Sequence, residues 1–262
     1  MGMGRLYAER CVDEGAKTVI LWDRDGAALA ATAASLTHRS NGRTQVAPYI
    51  VDLADLGAIA QTAQRVRTEI GDPDVVINNA GIIRGKFFWE HDNGADTRPT
   101  MQINALAPMY IAREFLPAMI ASGSRESRIV NIASAAGTLS NPRMSVYAAS
   151  KAALIGWSDS LRLELVQQGY GQVKVTTVCP SYIDTGMFKG ARGPLLTPLM
   201  TPEYVVDRVW RAMLAGKPQL LMPWTVNLSK VLRGVLPLAA WDAVAGRVFG
   251  VYRSMDRWVG RQ

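Results

Sequence analysis

Six short apolar runs, each separated from the next by a stretch of helical periodicity, confine this 262-residue chain to an α/β fold. Thr18–Trp22 is apolar on both faces, the pattern of a strand buried between two layers. Val46–Val51, Val75–Asn78, Arg128–Ile132, Val173–Cys179 and Gln219–Met222 are further strand candidates. Ala54–Ile70 carries Leu56, Ile59, Ala63, Val66 and Ile70 at helical spacing, which makes one apolar stripe on a helix. Alternation of this kind predicts a doubly wound parallel sheet with helices on both faces.

The length suits one domain with a full core on each side of a sheet. With 48% hydrophobic and 19% charged residues, the chain is not of the disordered class. Cys11, Cys179, His38 and His91 have no metal-ligand spacing, so no metal site is expected, and one bridge at most is possible. A reducing cytoplasm is the expected compartment. No apolar run reaches the roughly 18 residues of a membrane span, and the N-terminus lacks the pattern of a signal peptide. The net charge of +7 is not gathered into one basic stripe with interleaved aromatics, so no nucleic-acid partner is expected. Trp224–Gln262 holds six basic and two acidic residues, punctuated by Trp224, Trp241, Phe249, Tyr252 and Trp258. This C-terminal helical extension reads as a peripheral contact with a membrane surface, as a helical cap over a pocket, or as a subunit contact.

The beginning of the chain departs from the pattern. Gly2-Met3-Gly4 has the look of a glycine turn leading into a helix from about Arg5 to Gly15, yet no strand precedes it. In a doubly wound sheet that strand lies in the middle. Without it the flanking strands would stand about 9–10 Å apart, twice the normal spacing, with their facing edges unpaired. The expectation is therefore an N-terminally truncated unit over residues 1–223, missing its first strand. The reading frame is expected to continue upstream into an apolar, β-branched stretch ending in Thr-Gly, and the 262-residue form to bind dinucleotide poorly.

The chemistry-bearing cluster is Ser134, Tyr147 and Lys151. Tyr147 and Lys151 are four residues apart, on one face of a helix. A free tyrosine, with a pKa of about 10, is a poor base at neutral pH, and a neighbouring ammonium favours phenolate. Ser134 closes the apolar run Ile129–Ser134, at the strand end where such sheets hold ligands. Its hydroxyl is placed to hold a substrate oxygen against the phenol. Alone, a Tyr-x-x-x-Lys spacing is weak, because many amphipathic helices carry it.

Its company makes it specific. Asn78-Asn79-Ala80-Gly81 follows one strand, Ser134 precedes Tyr147 by thirteen positions, and Pro180-Ser181-Tyr182-Ile183-Asp184-Thr185 follows another. In order and spacing these motifs resemble the short-chain dehydrogenase/reductase family from Gly2 to about Pro223. Leu21-Trp22-Asp23, Phe115-Leu116-Pro117-Ala118-Met119 and Asp184-Thr185-Gly186-Met187-Phe188-Lys189-Gly190 are similar to its retinol and 17-beta-hydroxysteroid dehydrogenase branch. The resemblance implies a Rossmann-type fold and an NAD(P)-dependent oxidoreductase, forming a homodimer or homotetramer.

It also implies residue roles. Tyr147 is the acid/base, Ser134 fixes the substrate oxygen, and Lys151 lowers the tyrosine pKa and grips the nicotinamide ribose. Gly2, Met3 and Gly4 match the end of the pyrophosphate turn, whose threonine and first glycine this sequence lacks. Asn79 buttresses the central strand beside the adenosine, within the Asn79-Ala80-Gly81 turn. Asp52 and Leu53 match the adenine contacts. Pro180, Ile183 and Thr185 lie where the nicotinamide carboxamide is held, with Ser181 standing where the family has glycine. Asn104 matches a fourth catalytic position. Pro108, four residues on in the same predicted helix, has no N–H and leaves the Asn104 carbonyl free to hold a relay water, or simply kinks the helix.

Asp23 at a strand end favours NAD by bonding ribose hydroxyls and repelling a 2′-phosphate, although the adjacent Arg24 offsets this and Asp23 is also a good turn residue. Met187, Phe188, Leu195, Leu196, Leu199 and Met200 form an expected apolar lid. Phe87, Phe88 and Trp89 also follow the Asn-Asn-Ala-Gly turn, Phe87 and Phe88 reading mainly as core. The substrate expectation is a small apolar, retinoid- or steroid-like alcohol or carbonyl. An NADPH-dependent ketoreductase and a non-catalytic dinucleotide-binding protein are the alternatives.

Overall fold

The computed structural model describes residues 2–195 and 197–260, and its six strands run parallel but fall into two sheets. Strand β1 (Thr18–Asp23) pairs only with β2 (Gln45–Ile50). Strands β3 (Val75–Asn78), β4 (Ser127–Ile132), β5 (Val173–Pro180) and β6 (Gln219–Met222) form the second sheet in that order. The order is that of a Rossmann-type doubly wound sheet, with no strand between β1 and β3 among the described residues. Pro48 sits in β2, the outer strand of its pair. Gln45 and Val51 donate to Lys17 and Asp23, so odd positions of β2 face β1 and Pro48 removes no ladder bond.

Helices connect the strands. On one face lie α1 (Gly2–Asp13), α2 (Gly26–Ser40) and α7 (Pro202–Leu214); on the other lie α3 (Leu56–Glu69), α5 (Ala107–Ala121) and α6 (Ser145–Gln167). Asp55 starts α3 by accepting from the amides of Gly57 and Ala58, and Thr201 starts α7 by accepting from Tyr204. The stretch before α5 is irregular, with π turns over Asn93–Thr97 and Gln102–Leu106 flanking the short α4 (Arg98–Met101). After β6 come α8 (Trp224–Val235) and α9 (Leu238–Ala243), then short turns to Gly260. Arg261 and Gln262 lie outside the described residues.

Both apolar layers span the gap between the sheets. One cluster joins Tyr49, Ile20 and Trp22 of the two-stranded sheet to Val76, Ile129 and Val175 of the other through Ile59, Val66 and Phe115. On the opposite face α1 is the bridge. Tyr7 and Leu6 pack with Ile77, Val130 and α7, while Ala8 and Val12 pack with Val19 and Leu36.

Three sequence expectations need correction. Gly2-Met3-Gly4 is the first turn of α1 rather than a turn before it, and that helix ends at Asp13 with Gly15 at φ +77 beyond it. Strand β4 stops at Ile132, so Ser134 lies past its end and caps a 3-10 turn, accepting from the Ala136 amide. Phe88 is exposed, not core; Phe87 stacks on Trp89 at 4.9 Å with the Arg143 guanidinium over its other face.

The alternation of ladder bonds turns the backbone groups of Thr18, Ile20 and Trp22, and of Val75 and Ile77, toward the unpaired inner edges. We expect the amides of Ile20, Trp22 and Ile77 to exchange with solvent deuterium roughly 100-fold faster than those of Leu21 and Val76. Equal protection along each strand, measured by NMR, would show that something else satisfies these edges.

Candidate active site

The site lies at the C-terminal ends of β3, β4 and β5, where the chain leaves the sheet and its terminal residues escape the ladder. Tyr147 stands in the first turn of α6, and Lys151 one turn later on the same face. Both are buried. The Lys151 ammonium donates to the Ile132 carbonyl at 2.8 Å and lies 5.9 Å from the centre of the Tyr147 ring. It is thereby fixed to the end of the strand that leads to Ser134.

Burial governs the electrostatics. It pushes the Tyr147 phenol up to about 12, with the Ser134 hydroxyl pulling the other way. Burial also lowers Lys151 to about 8. Lys151 was expected to bring the phenol down. In the chain without cofactor desolvation prevails, because the ammonium is turned to a carbonyl rather than to the phenol oxygen.

Asn104 is fully buried and acts through its side chain, which sequence reasoning missed. Its Oδ1 accepts from the Ile82 amide at 2.8 Å, and its Nδ2 donates to the Ile82 carbonyl at 2.8 Å and to Ser150 Oγ at 3.0 Å. Ser150 in turn donates to the Tyr147 carbonyl. One amide therefore clamps the loop after β3 to the helix that carries Tyr147. The expected continuous helix through Asn104 is instead a π turn, with Pro108 just inside α5. A second polar chain missed from the sequence runs from Asn78 to Asn131 at 2.8 Å and on to Ser158 at 2.8 Å, tying β3, β4 and α6 together.

The residues expected at a dinucleotide surround a space that side chains do not fill. A Cβ on Gly4 would meet Asn79 Nδ2 at 3.0 Å, and one on Gly2 would reach Thr185 at 4.0 Å. A Cβ on Gly81 would lie 3.3 Å from Asn104 Oδ1 and 3.4 Å from the Lys151 ammonium. Asn79 Oδ1 is buried with no partner among the described residues. The start of α1, free of acidic side chains, is open to a pyrophosphate here. This cradle fits a dinucleotide.

Other expected contacts are qualified by the structure. Met3 and Ile183 turn their side chains into the core, which leaves their backbone for a ligand. Leu53 packs on the main core, and Asp52 is exposed and accepts from the Ala54 amide. Asp23 ends β1 and accepts from the Asp25 amide at 3.1 Å, while Arg24 is exposed beside it. Ala80 is exposed in the turn, and Pro180 ends β5. Of the expected lid, Met187 and Phe188 pack around Tyr147. Leu195 and Leu199 are exposed, Met200 is buried in the core instead, and Leu196 lies outside the described residues. Tyr182, Met255 and Trp258 also join the Tyr147 cluster, the last two from the C-terminal stretch for which a cap over a pocket was one reading.

Comparison with known proteins agrees with this geometry. The short chain dehydrogenase family model matches residues 1–194. Mouse (Mus musculus) epidermal retinol dehydrogenase 2 is 32% identical over 266 residues, covering 100% of this chain and 83% of that protein. Human (Homo sapiens) short-chain dehydrogenase/reductase 3 is 31% identical, covering 99% and 84%. Among solved structures, a short-chain dehydrogenase/reductase from Burkholderia phymatum in complex with NAD superposes with a TM-score of 0.78 at 26% identity, covering 89% of each chain. A short-chain dehydrogenase from Sphingobium yanoikuyae in complex with NADPH gives 0.74 at 27% identity, covering 95% of this chain and 90% of that one. The chain belongs to the short-chain dehydrogenase/reductase family, in its retinol dehydrogenase branch, and is an oxidoreductase that acts on CH–OH groups with a nicotinamide dinucleotide.

Proposed function

We propose that the protein interconverts a lipophilic, retinoid- or steroid-like alcohol and its carbonyl compound, with Tyr147 as the proton-transfer group and NAD as the preferred cofactor. The observation that carries this reading is the gathering of Tyr147, Ser134 and Lys151 at one strand end, beside the unfilled cradle of Gly4, Gly81 and Asn79. A nicotinamide dinucleotide held by Gly4, Asn79, Gly81 and Lys151 would supply the hydride acceptor or donor for the carbinol carbon.

The chain's own residues handle the proton and the position. With its pKa near 12 the phenol holds its proton at neutral pH, ready to give it to a carbonyl oxygen during reduction. During alcohol oxidation the phenol first gives up that proton, a loss favoured by positive charge at the site, and the phenolate oxygen then receives the hydroxyl proton. Ser134 Oγ, which already accepts from the Ala136 amide, keeps its own proton to donate to the substrate oxygen. Lys151 provides an ammonium beside Gly81, and Asn104 holds the loop that forms the opposite wall. The apolar side chains of Met187 and Phe188 suit a lipophilic substrate and exclude water from the proton transfer.

Tyr147→Phe should leave the fold intact and lower kcat by about 10²–10⁴-fold with a lipophilic secondary or allylic alcohol. A purified variant keeping a tenth of the parent kcat would remove Tyr147 from this role. Asp23 at the end of β1 supports NAD, since its carboxylate would face a 2′-phosphate. Steady-state kinetics should give a lower KM for NAD than for NADP, a gap that Asp23→Ser narrows. An NADP preference in the unmodified protein would instead give the deciding role to Arg24.

The lowered Lys151 also has a consequence for stability. Between pH 8 and 10.5 the unfolded chain keeps a proton that the folded chain has released. This group's contribution to stability therefore rises with pH across that window, by about 3 kcal/mol at most. Denaturant titrations of the cofactor-free protein should show a shallower rise for Lys151→Met than for the parent. Parallel curves would mean that the ammonium is not desolvated.

A further inference from the structure

Tyr147 must touch its substrate, yet only 5% of its surface is exposed. Part of what covers it comes from the far end of the chain. Residues 250–260 run across the site as a strap that touches the loops after β3, β4 and β5.

The strap is anchored at three places. At the first, Ser254 Oγ donates to the Val251 carbonyl and accepts from Tyr182 at 2.7 Å and from Asn141 Nδ2 at 2.8 Å, while Asn141 also donates to the Tyr182 oxygen. At the second, backbone bonds join Arg192 to Ser254 and Val259 to Lys189. At the third, the Trp258 indole donates to the Met187 carbonyl at 3.0 Å, and its ring lies against the backbone of Gly85. A Cβ on Gly85 would stand 2.6 Å from Trp258 Cδ2 and 2.8 Å from Cζ3, too close for any residue but glycine. Between these anchors Met255 is buried against the cluster of Ile83, Met144, Tyr147 and Tyr182. Phe188 meets Tyr147 and Tyr182 edge-on at 6.4 and 5.2 Å.

We propose that the 250–260 strap is the movable wall of the substrate chamber, and that Trp258, seated in the Gly85 notch, together with Met255 sets the size of the apolar body the chamber accepts. The inference rests on the reaction assigned above and adds its specificity. Methionine and aromatic side chains over the phenol select an apolar substrate. The indole closing the notch limits the bulk of the apolar body that the chamber accepts. Substrate reaches Tyr147 only when Trp258 leaves Gly85, and the strap closes again behind it.

The test combines kinetics with proteolysis. kcat/KM is measured with NAD for 2-butanol, 2-octanol, cyclohexanol and 1-decalol in the parent, in Trp258→Ala and in Gly85→Val, which unseats the indole from the other side. We expect both variants to shift preference toward the bulky alcohol by about tenfold or more. Arg253 and Arg257 are exposed in the strap, so trypsin should cleave after them faster in both variants, with unchanged far-UV circular dichroism. Unchanged size preference together with unchanged cleavage would overturn the proposal, as would faster cleavage with no change in preference. The proteolysis arm needs no turnover, so a protein inactive on every alcohol would count against the assigned reaction, while slow cleavage in Gly85→Val would still count against the strap. If Gly85→Val fails to fold, Trp258→Ala alone decides, with Trp258→Phe expected to restore much of the parent preference.

Discussion

Apolar packing across an unbonded gap holds this structure together. In a sheet of this order the ladder between neighbouring strands normally fixes their register, but no ladder joins β1 to β3. The two sheets are aligned instead by the layers above and below them. On one side Trp22 meets Phe115 with ring centres 6.2 Å apart, and Tyr49 and Ile20 share a cluster with Ile129 and Val175. On the other side two faces of α1 pack on different sheets, Tyr7 and Leu6 toward one and Ala8 and Val12 toward the other. Full burial of one large apolar side chain contributes roughly 1.5–3 kcal/mol, against about 0.5–1.5 kcal/mol net for one hydrogen bond. Several buried side chains on each face therefore outweigh the few ladder bonds that four-residue β3 would form. The packing gives cohesion, but it fixes register less sharply than a ladder does, because dispersion contacts have little directionality.

That difference divides the site. The groups placed for proton transfer belong wholly to the four-stranded sheet and α6, and are bound to one another by directed bonds from Lys151 to Ile132, Asn104 to Ile82 and Ser150, and Asn131 to Ser158. Asp23 ends β1 of the two-stranded sheet, and Asp52 lies in the loop just after its β2. The cradle of Gly4 and Asn79 lies between, carried by the helix that bridges both. Their mutual distance is set mainly by side-chain packing, with the Tyr49–Glu69 and Arg67–Glu114 bonds as directed ties through α3. A dinucleotide reaching from Asp23 to Thr185 would cross the gap and act as a further tie between the halves, so binding and alignment of the sheets are one equilibrium.

The sequence made the strands legible where short apolar runs met polar or turn-forming neighbours. Val75–Asn78 and Gln219–Met222 coincide with the observed strands for that reason. Tyr147 and Lys151 were legible because helix periodicity alone puts them on one face. The strand candidate Arg128–Ile132 ends where β4 ends, but Ser134, read as closing the same apolar run, caps a 3-10 turn beyond it. The Asn104 clamp was hidden because its partner Ile82 is distant in sequence and contributes only backbone. Met200 and Ile183 read as lid and ligand contact, yet they bridge to one another and sink into the core beside α7. Trp258 was marked only as one aromatic of a C-terminal stretch for which a cap over a pocket was one of three readings, and nothing in that stretch named its seat. Its seat depends on the missing side chain of Gly85, and a glycine outside any turn motif announces nothing about which distant ring will use the space.

The strap and the buried phenol express one compromise. Desolvation strengthens every polar interaction at the reacting oxygen and keeps the Tyr147 proton in place until a substrate arrives. The same burial keeps substrate from that oxygen. A rigid wall would resolve the conflict in favour of burial and forfeit access. A wall of separate small anchors resolves it differently, because each anchor can be released at modest cost while together they exclude water. Ser254, whose hydroxyl makes two neutral hydrogen bonds to the site, and Trp258, with one bond and a glycine-shaped seat, have that character. By contrast, no ion pair ties residues 250–260 to the site among the described residues. An anchor based on charge would have made opening dependent on salt and costly in the dry interior. Neutral anchors leave the balance between open and closed to the apolar substrate itself, whose burial under Met255 and Trp258 favours closure.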